Sequence, residues 1–177
     1  MGNGAICFMD VFSADDLLFM TRAIELAKKA AELGEVPVGA VVVCDGEIVG
    51  EGMNYRECGK NALYHAELMA IDNACKKLHG WRLHRCTLYV TLEPCPMCAG
   101  AIVNSRMKRV VFGAPEERAG AFGSIIDMNA LPLNHTTDLQ SGLCEDECRE
   151  LMQAFFQKLR GKRKKSASEI SDNSIEE

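Results

Sequence analysis

Apolar residues at Leu17, Met20, Ile24, Ala27 and Ala31 recur at three- and four-residue spacing, which predicts an amphipathic helix. Ser13-Ala14-Asp15-Asp16 ahead of it reads as a capping box with Asp in place of Glu or Gln, and Gly34 as its stop. The pattern then changes. Val38–Cys44 and Glu47–Met53 are β-rich runs joined by Asp45-Gly46, the signature of a tight hairpin. Helical spacing returns from His65 to about His79, with Leu68, Ile71, Cys75 and Leu78 as the expected core stripe and Gly80 as terminator. Arg85–Thr91 predicts a third strand, Pro96–Ser105 a short helix and Arg109–Gly113 a fourth strand. A glycine-rich loop follows over 113–124, residues 135–141 carry a weak fifth-strand pattern, and Glu145–Leu159 predicts a last helix with Cys148, Leu151, Phe155 and Leu159 on one face.

Strands alternating with helices predict an α/β sheet with helices on its faces. The hairpin is antiparallel, and strands joined through helices are expected to be parallel. The 177 residues suffice for one domain, and 47% hydrophobic with 25% charged residues is an ordinary globular balance. The longest apolar stretch, Val36 to Cys44, is too short to span a membrane and is broken by Pro37 and Gly39. Asp10 interrupts the N-terminal apolar run, so no export signal is expected. Ile6 stands where myristoylation of Gly2 needs Ser or Thr, so a cytoplasmic protein with no membrane partner is expected.

Nine cysteines without an export signal favour reduced thiols or metal ligands over disulfides. Net charge is −5, but residues 166–177 alone carry four acids and no base. Before them, Lys158, Arg160, Lys162, Arg163, Lys164 and Lys165 form a basic run able to contact phosphates or to remain a solvated end. Residues 161–177 read as a disordered tail, basic and then acidic.

The chemistry concentrates in His65-Ala66-Glu67 and Pro94-Cys95-Pro96-Met97-Cys98. One imidazole and two thiolates suit tetrahedral Zn2+ with one open position, the pattern of a catalytic site. Cys95 and Cys98 lie three apart on one helical face, next to a helix N-terminus whose dipole lowers thiol pKa. His65 and Glu67, two apart, reach one metal site only off the starting end of their helix, so two helix N-termini are expected to point at one pocket. Glu67 fits either a fourth ligand or a proton carrier, the latter being the better chemistry. A redox Cys-x-x-Cys pair and a structural zinc are the competing readings. Cys144 and Cys148, four apart, lack nearby partner ligands and read as ordinary thiols; Trp81 reads as a partly buried anchor.

His-x-Glu followed by Pro-Cys-x-x-Cys is the signature of the zinc-dependent base deaminases. The flanking blocks Glu35-Val36-Pro37-Val38-Gly39-Ala40-Val41, Gly50-Glu51-Gly52-Met53-Asn54, Thr91-Leu92-Glu93 before Pro94, Arg109-Val110-Val111-Phe112-Gly113-Ala114, Gly120-Ala121-Phe122-Gly123-Ser124 and Asn134-His135 resemble the bacterial tRNA-specific adenosine deaminase family over about residues 13–160. That resemblance implies a three-layer α/β/α cytidine-deaminase-like fold with a five-stranded mixed sheet. It also implies a homodimer, a tRNA anticodon stem-loop as partner and conversion of the wobble adenosine to inosine. By the same resemblance His65, Cys95 and Cys98 hold Zn2+ and Glu67 shuttles protons. Asn54 and the Ala66 backbone hold the nucleoside, and the loop carrying Glu116 lies near the RNA, with Glu at this position where the family is expected to have Asp. His135 is a further candidate for RNA contact. The rival readings are a deaminase of free bases or nucleosides, and a non-catalytic RNA-binding subunit, against which Glu67 argues.

Overall fold

The computed structural model describes residues 12–172, with side chains described to residue 161. The N-terminal segment with Gly2, Ile6 and Asp10, and the acidic Glu176 and Glu177, lie outside the described residues. The elements run α1 (Ala14–Glu32), β1 (Gly39–Cys44), β2 (Glu47–Met53), α2 (Arg56–Gly59), α3 (Ala66–Lys77), β3 (Cys86–Leu92), α4 (Pro96–Asn104), β4 (Arg109–Ala114), β5 (Asp138–Ser141) and α5 (Glu145–Asp172), with a 3-10 turn at Met128–Ala130. They form a five-stranded sheet in the order β2-β1-β3-β4-β5. The β1–β2 and β1–β3 pairs are antiparallel; β3–β4 and β4–β5 are parallel.

Alternation along the strands divides the interior. Val41, Val43, Tyr89 and Val111 face Phe19, Met20, Ala23 and Ile24 of α1 together with Cys148 of α5. Ala40, Val42, Leu88, Val90, Val110 and Phe112 face α3 and α4. Helices thus cover both faces, and the two that carry the metal motif share one of them. Among the described residues no helix is long and apolar enough to cross a membrane.

Local signals account for several boundaries. Ser13 and Asp16 form the capping box of α1. Gly34 ends that helix at φ +83°, while Glu35 N–H closes back to the Ala30 carbonyl. Asp45 and Gly46 both have positive φ, the geometry that joins two twisted strands in two residues.

Four expectations are corrected. The buried face of α3 is Ala66, Ala70, Ile71 and Ala74; Leu68 and Cys75 are only part-buried and Leu78 is exposed. The small side chains are there because α3 lies almost in backbone contact with β2. A Cβ on Gly50 would sit 2.2 Å from the Ala70 carbonyl oxygen, and one on Gly52 2.1 Å from that of Ala66. The left-handed residue ending α3 is His79 (φ 53°), one before Gly80, whose N–H reaches the Cys75 carbonyl. Lastly, α5 does not stop near Leu159: its backbone is helical to Asp172, where the tail was expected to have no structure. Residues 162–169 are mostly Lys, Arg, Ala and Glu, all good helix formers, with no Pro to break them. Trp81 also departs from its expectation. It is 51% exposed, with the Arg82 guanidinium 4.1 Å from its ring centre.

Candidate metal centre and active site

His65 is the N-cap of α3, and Cys95 is the N-cap of α4. Neither cap is closed by a side-chain hydrogen bond, and both residues turn inward. Pro96, as the first residue of α4, sets the helical φ and has no N–H to leave unpaired. One turn in, Cys98 joins Cys95 on the same side. His65 Nδ1 lies 3.7 Å from Cys95 Sγ and 3.5 Å from Cys98 Sγ. The three ligand atoms fall within 4.8 Å of one another.

This donor set fits zinc. Zn–S bonds of ~2.3 Å and Zn–N bonds of ~2.0–2.1 Å at tetrahedral angles put N and S ~3.6 Å apart, which matches the spacing between His65 and the two sulfurs. Charge preorganises the site further. The Cys95 thiol is lowered to about 4, foremost by the Cys98 thiol beside it and then by His65, against the opposing effect of burial. The Cys98 thiol is pushed up, first by Cys95 and then by burial. A dication at the centre of the three ligands is what would ionise both.

Glu67 is the second residue of α3 and is buried, which pushes its carboxyl up. Its charge helps push up the Cys98 thiol, but it does not belong to the set of mutually close ligand atoms. Asn54, just past β2, is also buried, and its Oδ1 accepts the Ala66 amide at 3.3 Å. Asn54, His65, Ala66 and Glu67 are therefore one contiguous group, held in place by the close seating of α3 on Gly50 and Gly52.

The outer candidates are placed differently. Glu116 shapes its own loop: its carboxylate accepts the Arg118 amide at 2.9 Å, and its carbonyl accepts that of Gly120. His135 lies at the start of β4, with Nε2 donating to the Met107 carbonyl at 2.8 Å. That is the opposite end of β4 from Ala114, so the structure does not bring His135 to the cluster. Cys144 and Cys148 are free thiols, Cys148 buried in the core under α1.

Two buried carboxylates were not singled out from the sequence. Glu35 accepts the Cys58 amide at 2.7 Å and so fastens α2, the turn that leads to His65. Glu93 accepts the amides of Glu116, Phe122 and Ser124 and the Ser124 hydroxyl. Burial would raise both carboxyls, but these hydrogen bonds outweigh it and hold both below the usual range. The available signal was a glutamate directly beside Pro94-Cys95 at the end of an apolar strand.

Comparison with known proteins agrees with this arrangement. Residues 14–160 match the family model of the MafB19-like deaminases. The tRNA-specific adenosine deaminase of Bacillus subtilis is 49% identical over 160 residues, spanning 89% of this chain and 98% of that protein. Its namesake from Haemophilus influenzae is 47% identical over 156 residues, covering 87% and 90%. A solved structure from a study of A-to-I editing by tRNA:A34 deaminases at the wobble position of transfer RNA superposes with a TM-score of 0.74 at 40% identity, covering 76% of this chain and 98% of that one. The guanine deaminase of Bacillus subtilis is more distant, at a TM-score of 0.55 and 34% identity over 70% and 88%. A His/Cys/Cys cluster at two helix N-termini, a buried glutamate two residues past its histidine, and 47–49% identity over most of the chain to two tRNA-specific adenosine deaminases lead to one assignment: the chain belongs to the tRNA-specific adenosine deaminase family.

Proposed function

We propose that this protein hydrolyses adenosine to inosine at the wobble position of a tRNA anticodon, releasing ammonia. The observation that carries the reading is the buried Glu67 carboxyl, two residues past the His65 N-cap of α3 and outside the His65/Cys95/Cys98 set. His65, Cys95 and Cys98 hold zinc, which when bound supplies the Lewis acidity that brings the pKa of a coordinated water to about 7. Glu67 takes a proton from the attacking water, delivers it to N1 of adenine and assists departure of the amino group from C6 as ammonia. Burial pushes its carboxyl up, toward the proton-holding form. Asn54 and the Ala66 backbone orient the nucleoside, and their mutual hydrogen bond fixes them against Glu67. The adenine must leave its stack to enter, which costs least from an unpaired loop such as an anticodon.

The protein acts in the cytoplasm as a homodimer. In support of a second copy, Met97 of α4 and Leu131 and Leu133 are exposed apolar side chains, and Leu133 lines a cavity with Gly100 and Val103 of α4. The experiment offers zinc-loaded protein an anticodon stem-loop with adenine at the wobble position, beside free adenosine, cytidine and guanine, with product read by mass. Conversion of the stem-loop alone is expected. Preferential conversion of guanine would place the activity with the guanine deaminases.

A further inference from the structure

Glu93 takes no part in the chemistry described above, yet it is 3% exposed and collects more hydrogen bonds than any other described side chain near the cluster. Its Oε1 accepts Phe122 N–H at 2.9 Å and Ser124 N–H at 3.1 Å; its Oε2 accepts Glu116 N–H at 3.0 Å and the Ser124 hydroxyl. A carboxylate has about four lone-pair sites, and all are engaged. The next residue continues the attachment, because the Pro94 carbonyl accepts Ala121 N–H at 2.9 Å. The loop is therefore tied to the dipeptide immediately before the ligand Cys95. Gly120 closes over this contact, where a Cβ would lie 2.3 Å from Glu93 Oε2. The loop stands at the C-terminal ends of the parallel strands β3 and β4, where open α/β sheets bind their ligands. Arg118 in the loop and Ile125 directly after it are exposed, a cation and an apolar contact for a phosphate and a base.

We propose that Glu93 is a positioning residue for the RNA: it holds the 115–124 loop in the shape that receives the nucleotides flanking the reacting adenosine. The proposal rests on the RNA substrate proposed above. Glu93→Gln turns one acceptor oxygen into a donor facing amides. The zinc content should stay at the wild-type level, and kcat at saturating stem-loop should stay within about twofold. Stem-loop Kd and KM should each rise about tenfold, the loss of one charge-assisted hydrogen bond. The amides of Glu116, Phe122 and Ser124 should exchange hydrogen faster. Gly120→Ala should give the same pattern with Glu93 itself unsubstituted, because the added Cβ would lie 2.3 Å from Glu93 Oε2 and displace the carboxylate. Faster loop exchange with unchanged RNA affinity would overturn the proposal, as would loss of zinc in step with affinity. Wild-type protein that binds no stem-loop would instead remove the RNA reading itself, whatever the loop exchange shows.

A second pair, away from the metal motif, carries an independent inference. Cys44 and Cys86 face each other in the β1–β3 register and pack on the same side of the sheet. Cys86 N–H bonds the Leu83 carbonyl and its carbonyl accepts Lys108 N–H, so neither group bonds β1. The pair is thus a non-hydrogen-bonded antiparallel site, with α-carbons ~4.5 Å apart. That is within the range of about 4.4–6.8 Å that a disulfide spans. We infer that a peroxide oxidises these two thiols to a cross-strand disulfide. The half-buried Cys44 sulfur reacts first, giving a sulfenic acid and water. Attack by the Cys86 sulfur then expels a second water, so the two thiols lose two electrons and two protons to one hydrogen peroxide. The test treats zinc-loaded protein with hydrogen peroxide and maps peptides without reduction. A peptide joining Cys44 to Cys86 is expected, absent in Cys44→Ser. Oxidation of Cys44 beyond sulfenate with no such link, or failure of either thiol to react, would overturn the inference.

Discussion

His65 Nδ1 lies 3.5 Å from Cys98 Sγ although the two residues are separated by 33 positions and belong to different helices. The contact exists because α3 and α4 cover the same face of the sheet and begin at the same point, each capped by a ligand. A metal held there would link the two helices, so its loss would be felt in both activity and folding.

Cys98→Ser is expected to reduce bound zinc from about one per chain to a small fraction. Cys98 has no exposed surface, so the substitution also buries a hydroxyl amid the remaining ligands. The thermal midpoint should fall, and metal analysis of the purified variant checks the assignment. Full zinc occupancy would mean that Cys98 is not a ligand.

The seating of α3 gives a second prediction. Gly52→Ala places a methyl 2.1 Å from the Ala66 carbonyl oxygen, between His65 and Glu67. Overpacking of this kind costs about 1–3 kcal/mol. Here it should also weaken zinc binding, because the displaced turn carries a ligand. Gly46→Ala is the contrast. Nothing lies within 4 Å of its added Cβ, and its φ is +83°, so it strains the turn and leaves zinc affinity unchanged. Urea unfolding and a zinc titration of the two variants separate the effects.

These two predictions mark where the sequence was legible. Features set by neighbours in the chain were read correctly: the Ser13/Asp16 box, the Asp45-Gly46 turn and the Cys95/Cys98 pair one turn apart. The face of α3 was misjudged because Leu68 and Leu78 look more like core than Ala66, Ala70 and Ala74. Only the glycines of a different strand reverse that ranking. Glu93 was passed over for a related reason. Its partners are main-chain amides 23 to 31 residues away, and amides leave no mark in a sequence. The salt bridge from Arg109 to Asp16, at 2.6 Å, spans 93 positions and was equally invisible.

That last contact predicts a pH dependence. Burial opposes ionisation of Asp16, but Arg109, the Tyr89 hydroxyl and Ser13 outweigh it and hold the carboxyl well below the usual range. A depressed carboxylate stabilises the fold above its unfolded pKa of about 4, and that contribution is lost as pH falls below it. Asp16→Asn should cost about 3 kcal/mol at neutral pH by leaving Arg109 without its partner. The gap between variant and wild type should narrow from about pH 4 toward pH 3. Using the difference cancels the acid release of zinc common to both. A gap that stays constant over this range would show that the carboxylate charge contributes nothing.

The basic run Lys162, Arg163, Lys164 and Lys165 is predicted to serve RNA binding. Reversing these four charges should weaken stem-loop binding at low salt and flatten its salt dependence. Each lost phosphate contact removes up to about 0.7–0.9 units of log–log slope. Zinc content and turnover at saturating RNA should not change. Identical affinity and slope would show that the run has no part in RNA binding.

We propose that Glu67 moves the proton in a zinc-dependent conversion of wobble adenosine to inosine. Its most direct test compares wild-type and Glu67→Ala proteins, both verified to carry zinc, on an anticodon stem-loop with adenine at the wobble position, with product mass read after single turnover. The account predicts inosine from the wild type and a rate lower by about 10²–10⁴-fold or more in the variant at unchanged zinc content. Near-wild-type turnover by zinc-loaded Glu67→Ala would contradict it.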